Sequence, residues 1–184
     1  MKKTELLAPA GNMEALIAAV QAGCDAVYLG LNSFSARAFA GNFSREELIE
    51  AVRYCHIRGV KVYVTMNTIL YEPEIEAAKD QIQFLYDHDV DALLIQDFGL
   101  IHYVRTGFTA FQLHCSTEMH VHNMAGIEYM KTQGVKRVVL ARETPIELVK
   151  KACKSGIEIE VFAYGAICIS YSGQCQFSVV TKQR

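Results

Sequence analysis

The chain lacks most of the features that would assign it to a special environment. No Pro/Ser-rich linker or low-complexity run interrupts its 184 residues, so one domain is expected. The amino terminus carries Lys2 and Lys3 but only a few apolar residues before Pro9-Ala10-Gly11, too short a run for a signal peptide. No apolar stretch is long enough to span a bilayer. A cytoplasmic protein without a membrane partner is therefore expected. The formal net charge is only −2, which gives no electrostatic footprint for gripping a phosphate backbone; nucleic-acid affinity would need a local patch or another segment. Disulfide chemistry is not expected in a reducing compartment. Of the six cysteines, Cys24, Cys55, Cys115 and Cys153 are scattered singly through apolar elements and read as small core residues. Only Cys168 and Cys175 share a loop.

What is present is a repeat. Short runs rich in Val, Ile, Leu and Tyr alternate with segments of helical period, the pattern of βα units on a parallel sheet. Strands are predicted at 5–8, 26–31, 61–66, 92–96, 111–115, 137–141 and 158–164, with helices at about 12–22, 44–57, 73–87, 98–106, 123–133 and 144–154. Similar segments precede four strands, at Gly23-Cys24-Asp25, Gly59-Val60-Lys61, Asp89-Val90-Asp91 and Gly134-Val135-Lys136, each reading as a helix stop that feeds the next strand. A doubly wound sheet uses the same unit. Seven near-equal units without a glycine-rich dinucleotide turn fit an α/β fold of the (β/α) TIM-barrel type better, with seven of eight units in this chain. Because a whole barrel typically needs about 250 residues, residues 1–184 are expected to be an N-terminal barrel domain, with the last unit and any C-terminal domain lying outside it.

In a parallel barrel the chemistry sits on loops at the carboxyl ends of the strands. Here those positions hold Asn32 to Arg37, Asn67, Gln96-Asp97, Ser116-Thr117-Glu118 and Arg142-Glu143. Convergent Asn, Ser and Arg side chains suit a polar or anionic small molecule, with Arg142 or Arg37 as the natural carboxylate clamp. Asp97, Thr117 and Glu143 read equally well as helix caps and turn residues. His114, His120, His122 and Cys115 resemble a metal set in composition, but His114 and Cys115 are strand neighbours that point to opposite faces. His114 reads instead as a mouth-facing acid, base or hydrogen-bond donor. The densest feature is the run from Glu160 to Ser178, which contains Cys168 and Cys175. Two thiols on one loop after a strand suit a metal or iron-sulfur cluster if more ligands arrive from elsewhere; a pair of buried cysteines on a closing loop reads equally well.

That run, E-x-F-x-x-G-A-x-C-x6-C-x-x-S, resembles the signature of the collagenase-like peptidase family of unknown catalytic type. Shorter matches extend over the chain: Leu6-Leu7-Ala8-Pro9-Ala10-Gly11, Asp25 to Gly30, Phe34 to Ala38, Val62 to Asn67, and Val139 to Glu143. The resemblance implies two kinds of activity. The family is named for collagen degradation, whereas its bacterial relatives support hydroxylation of transfer RNA, ribosomal RNA or ubiquinone precursors, with prephenate and a four-cysteine iron-sulfur cluster implicated. It makes Cys168 and Cys175 the first two cluster ligands, with two more expected beyond Arg184. With only two thiolates, this chain alone is expected to hold such a cluster poorly and to be able to take up zinc instead. It places Arg37, Asn67, His114, Ser116 and Arg142 at the mouth, His114 and Arg142 being the catalytic candidates. The chain departs from the family in having Glu118 where the family has Gln, and in carrying His120 and His122.

Three functions follow. The first is RNA hydroxylation using the cluster and a small carboxylic acid such as prephenate, with RNA held by regions outside this chain. The second is a peptidase, for which there is neither an H-E-x-x-H helix nor a G-x-S-x-G elbow. The third is a non-catalytic subunit of a heteromeric enzyme. An open barrel edge also leads to the expectation of self-association.

Overall fold

The computed structural model describes residues 3–36 and 41–175. Its strands are β1 (Leu7–Pro9), β2 (Ala26–Gly30), β3 (Lys61–Met66), β4 (Ala92–Ile95), β5 (Gln112–Cys115), β6 (Arg137–Val139) and β7 (Glu158–Glu160). They alternate with α1 (Met13–Gln21), α2 (Arg45–His56), α3 (Ile75–Asp87), α4 (Phe98–Gly107), α5 (Met124–Thr132) and α6 (Ile146–Ala152). The strand order is that of the chain, β1 through β7, and the described pairings β1·β2, β2·β3, β5·β6 and β6·β7 are parallel. Chain order distinguishes a (β/α)-barrel-type sheet from a doubly wound one, whose order reverses at a switch point.

Local chemistry explains the elements. Asn12, Asp97 and Asn123 each accept a backbone N–H in the first turn of the helix they cap. Ser44 and Glu47 form a reciprocal capping box on α2. The four repeated stops share one backbone feature: Gly23, Gly59, Asp89 and Gly134 all have φ between 57° and 91°. This left-handed residue turns the chain from helix into strand. Asp89 does the same in place of glycine.

The chain divides into two compact units, Met1–Leu93 and Leu94–Arg184. In the first, β2 and β3 are buried on both faces, as parallel strands require. Cys24 and Cys55 are buried there. Burial pushes the Cys55 thiol up to about 11, with the neighbouring Cys24 and Asp91 adding to it, and burial likewise raises Cys24.

In the second unit, Cys115, Ile127, Met130, Val138, Leu140 and Ala152 form a core into which Ile159 packs. Burial alone raises the Cys115 thiol to about 12. The alternation Glu158-Ile159-Glu160 sends both carboxylates to the other face of β7. There they flank Arg137, whose Nη2 lies 2.9 Å from Glu158 and Nη1 3.3 Å from Glu160. Arg137, read from sequence only as the start of an apolar strand, is thus a buried cation between two acids.

Two expectations need correction. Cys153 is exposed: it is the C-cap residue of α6, and Ala152 beside it takes the core position. The seventh strand ends at Glu160, well before residue 164. The N–H of Leu140 still donates to the Glu160 carbonyl, but that of Ala141 turns to Val121, leaving residues 161–164 without a ladder partner on that side.

Candidate functional site

Polar residues collect after the strands, and in each unit they tie a loop down. In the first unit the segment after β2 folds back over its own strand. The Ser35 and Thr65 hydroxyls lie 3.0 Å apart, Thr65 donates to the Leu29 carbonyl at 3.2 Å, and Asn67 accepts the Ala36 N–H at 2.9 Å. Gly30 makes this possible, since a Cβ there would meet the Ser35 hydroxyl at 2.6 Å. Asn67 therefore supports the residue just before Arg37. Arg37 lies outside the described residues.

In the second unit the loop bearing both candidate thiols is fastened to the residues after β5 and β6. The Arg142 guanidinium donates to the Ser170 carbonyl at 2.5 Å, and the Arg142 N–H donates to the Ser172 hydroxyl at 3.2 Å. The Ser172 N–H in turn donates to the Glu143 carboxylate at 3.0 Å. Gly173, with φ 69°, passes so close to Glu118 that a Cβ would come within 2.2 Å of its carbonyl oxygen. Gln174 reaches the His120 ring at 3.4 Å. Ser172, at the centre of these contacts, is 2% exposed.

Electrostatics follow the same geometry. Burial acts to raise the Glu143 carboxyl, but its backbone hydrogen bonds, the N–H and hydroxyl of Ser172 and the Arg142 charge outweigh that, and it sits below the usual carboxylate range. Cys168 is exposed and Cys175 half-buried.

The predicted residues are thus only partly gathered. Arg142, Ser116 and the Cys168–Cys175 loop belong to one connected set: Ser116 is buried and caps the turn Thr117–Met119 by accepting the Glu118 N–H, and Glu118 meets Gly173. His114 is fully buried on β5, one residue before Cys115 of the helix-side core. Asp97 is a helix cap, while Glu143 is a loop anchor. Sequence reading missed Ser170, Ser172 and Gly173. Their signal was the Ser-Tyr-Ser-Gly segment inside the six-residue spacer, where two serines and a glycine leave backbone groups accessible to Arg142 and Glu143.

The donor set suits a soft metal in kind, since both side chains are thiols, but not in number. Among the described residues no three His, Cys, Asp or Glu side chains come together as a metal site. A four-thiolate cluster would need two further ligands.

Comparison with known proteins supplies the family. The model of Peptidase family U32 matches residues 11–184. The chain is 39% identical over 178 residues to tRNA hydroxylation protein P1 of Bacillus subtilis, covering 96% of this chain and 42% of that protein. It is 36% identical over 177 residues to the 23S rRNA 5-hydroxycytidine C2501 synthase of Escherichia coli, covering 96% and 26%. It is 30% identical over 188 residues to a protein of Porphyromonas gingivalis named collagenase, covering 95% and 45%. The chain thus spans less than half the length of these relatives. The solved structure of the U32 peptidase Mk0906 superposes with a TM-score of 0.70 at 15% identity, covering 92% of this chain and 73% of that one, which bears on fold alone. Among the described residues no helix is long and apolar enough to cross a membrane. With its signature loop fastened beside Arg142 and a family match across nearly its whole length, the chain belongs to peptidase family U32.

Proposed function

We propose that this chain is the barrel part of a cytoplasmic protein that supports hydroxylation of RNA. The observation that carries the reading is the fastened loop: it presents an exposed Cys168 and a half-buried Cys175 next to Arg142. The names of the relatives support it. In this reading Cys168 and Cys175 supply two thiolates to an iron-sulfur cluster, and the remaining ligands come from residues other than those described. The cluster would supply electron transfer. Arg142 uses one guanidinium nitrogen on Ser170; its other N–H groups, with Ser116, are assigned to a small carboxylic acid such as prephenate, and Asn67 and Arg37 of the first unit are each assigned to substrate binding. His114 is assigned to proton handling. Zinc in place of the cluster, and self-association through an open barrel edge, belong to the same proposal.

The test is nucleoside mass spectrometry of transfer and ribosomal RNA from a strain lacking the gene. A hydroxylated nucleoside should disappear, return with the wild-type gene, and stay absent with Cys168→Ala. An unchanged nucleoside profile would overturn the reading. A peptidase remains the second reading because one relative is named collagenase. It requires gelatin cleavage by metal-free protein that is lost on a single cysteine substitution.

A further inference from the structure

The two units differ in charge. The first has eight Lys/Arg against thirteen Asp/Glu, the second ten against seven. Residues 131–154 alone hold seven Lys/Arg and two Asp/Glu. Two of those seven, Arg137 and Arg142, are engaged by Glu158 and Glu160 and by the thiol-bearing loop.

The other five are exposed lysines, and several of them share one place in the fold. Lys131 lies in the last turn of α5 and donates to the Ser155 carbonyl at 2.9 Å, which joins it to the turn after α6 that carries Lys154. Lys150 and Lys151 are in the last turn of α6. Lys136 lies at the foot of β6, its N–H on Leu113 and its carbonyl taking the Glu158 N–H. Arg105 of α4 closes the group, donating to Thr132 at 3.4 Å with its side chain against Gly134. Among the described residues the acid within ion-pair reach of this set is Glu128, 4.0 Å from Lys131.

Helix dipoles explain cations in a last turn. They do not explain Lys136 and Lys154, which lie beyond the helix ends, and α1 and α3 end without any basic residue. We propose that Arg105, Lys131, Lys136, Lys150, Lys151 and Lys154 form a phosphate-binding face for RNA, at the amino-terminal ends of β5 to β7. The loop with Cys168 and Cys175 follows the carboxyl end of β7, so this face positions RNA and does not read or modify a base. The proposal rests on the RNA reading above and deepens it by naming where this chain would grip its substrate.

The experiment measures binding of total transfer RNA and of ribosomal RNA, as a function of salt, to the protein as its gene encodes it. K131Q/K136Q/K151Q/K154Q should weaken binding about tenfold or more near 0.1 M salt and make the log–log salt slope shallower by roughly 3. The matching four-arginine variant should bind as wild type does. Equal affinity and slope for the glutamine variant and wild type would overturn this face, while leaving RNA hydroxylation intact if the nucleoside test holds. Wild-type protein that binds neither RNA even at low salt would overturn both the face and the reading beneath it.

Discussion

The two units fasten their loops by different means. After β2 the chain is held by neutral groups: two hydroxyls, a carbonyl and an amide. After β7 it is held by a guanidinium and a carboxylate acting on backbone and serine groups. Neutral hydrogen bonds are indifferent to pH and salt, whereas charge-assisted ones are stronger and conditional on ionisation. The thiol-bearing loop is therefore the one whose seating responds to conditions. The strands differ in degree and not in kind. In the first unit a neutral hydroxyl, Tyr63, donates to the Glu5 carboxylate at 3.0 Å; in the second, a full cation, Arg137, stands between two acids.

The strand faces offer the largest expected effect. Arg137→Ala leaves Glu158 and Glu160 facing each other without their shared cation and should cost about 3 kcal/mol in urea unfolding. Tyr63→Phe removes one hydroxyl from a carboxylate that keeps Lys61 nearby, and should cost less, about 1.5 kcal/mol. Equal losses would erase the contrast.

Next come the turns. Gly173→Ala combines a left-handed backbone with a clash against the Glu118 carbonyl, so it should cost well over 1 kcal/mol and speed alkylation of Cys175. Gly23→Ala, with a positive φ but open space around the added carbon, should cost about 1 kcal/mol and leave Cys175 unaffected.

Most of the frame was legible in the sequence because it rests on local rules. Short apolar runs and helical patterning placed seven strands and six helices, and the Gly and Asp stops were found at the positions that adopt positive φ. The site was legible in composition but not in contact. Arg142 and Glu143 stood out as polar residues after a strand; that they grip Ser170 and Ser172, about thirty residues away, depends on how the loop returns. The exposure of Cys153 and the early end of β7 were hidden for the same reason: each depends on which neighbour takes a single position.

The loop's dependence on charge gives a smaller, pH-resolved effect. Glu143 has its carboxyl held below the ordinary value, so its stabilising contact is complete above that value and is lost as pH falls through the lowered one. Cys175 alkylation, corrected for thiolate content, should be faster in Glu143→Gln than in wild type at neutral pH. Below the lowered value of the Glu143 carboxyl the two should converge in hydrogen exchange of the loop. Thr65→Val should show no such pH dependence.

The smallest perturbation is a labelling experiment on metal-free folded protein at pH 8. Iodoacetamide should modify Cys153 and Cys168 readily, while Cys55 and Cys115, with thiols raised to about 11 and about 12, should react only after unfolding. Rapid labelling of Cys115 would contradict the core described for the second unit.

The most direct test of the proposed centre is iron and acid-labile sulfide in the protein as its gene encodes it, purified without oxygen. Wild type should carry both, and Cys168→Ala and Cys175→Ala should each lose both while remaining folded. Equal metal content in wild type and variants would contradict the ligand assignment, and a metal-free wild type that cleaves gelatin through one of these cysteines would replace it with a peptidase.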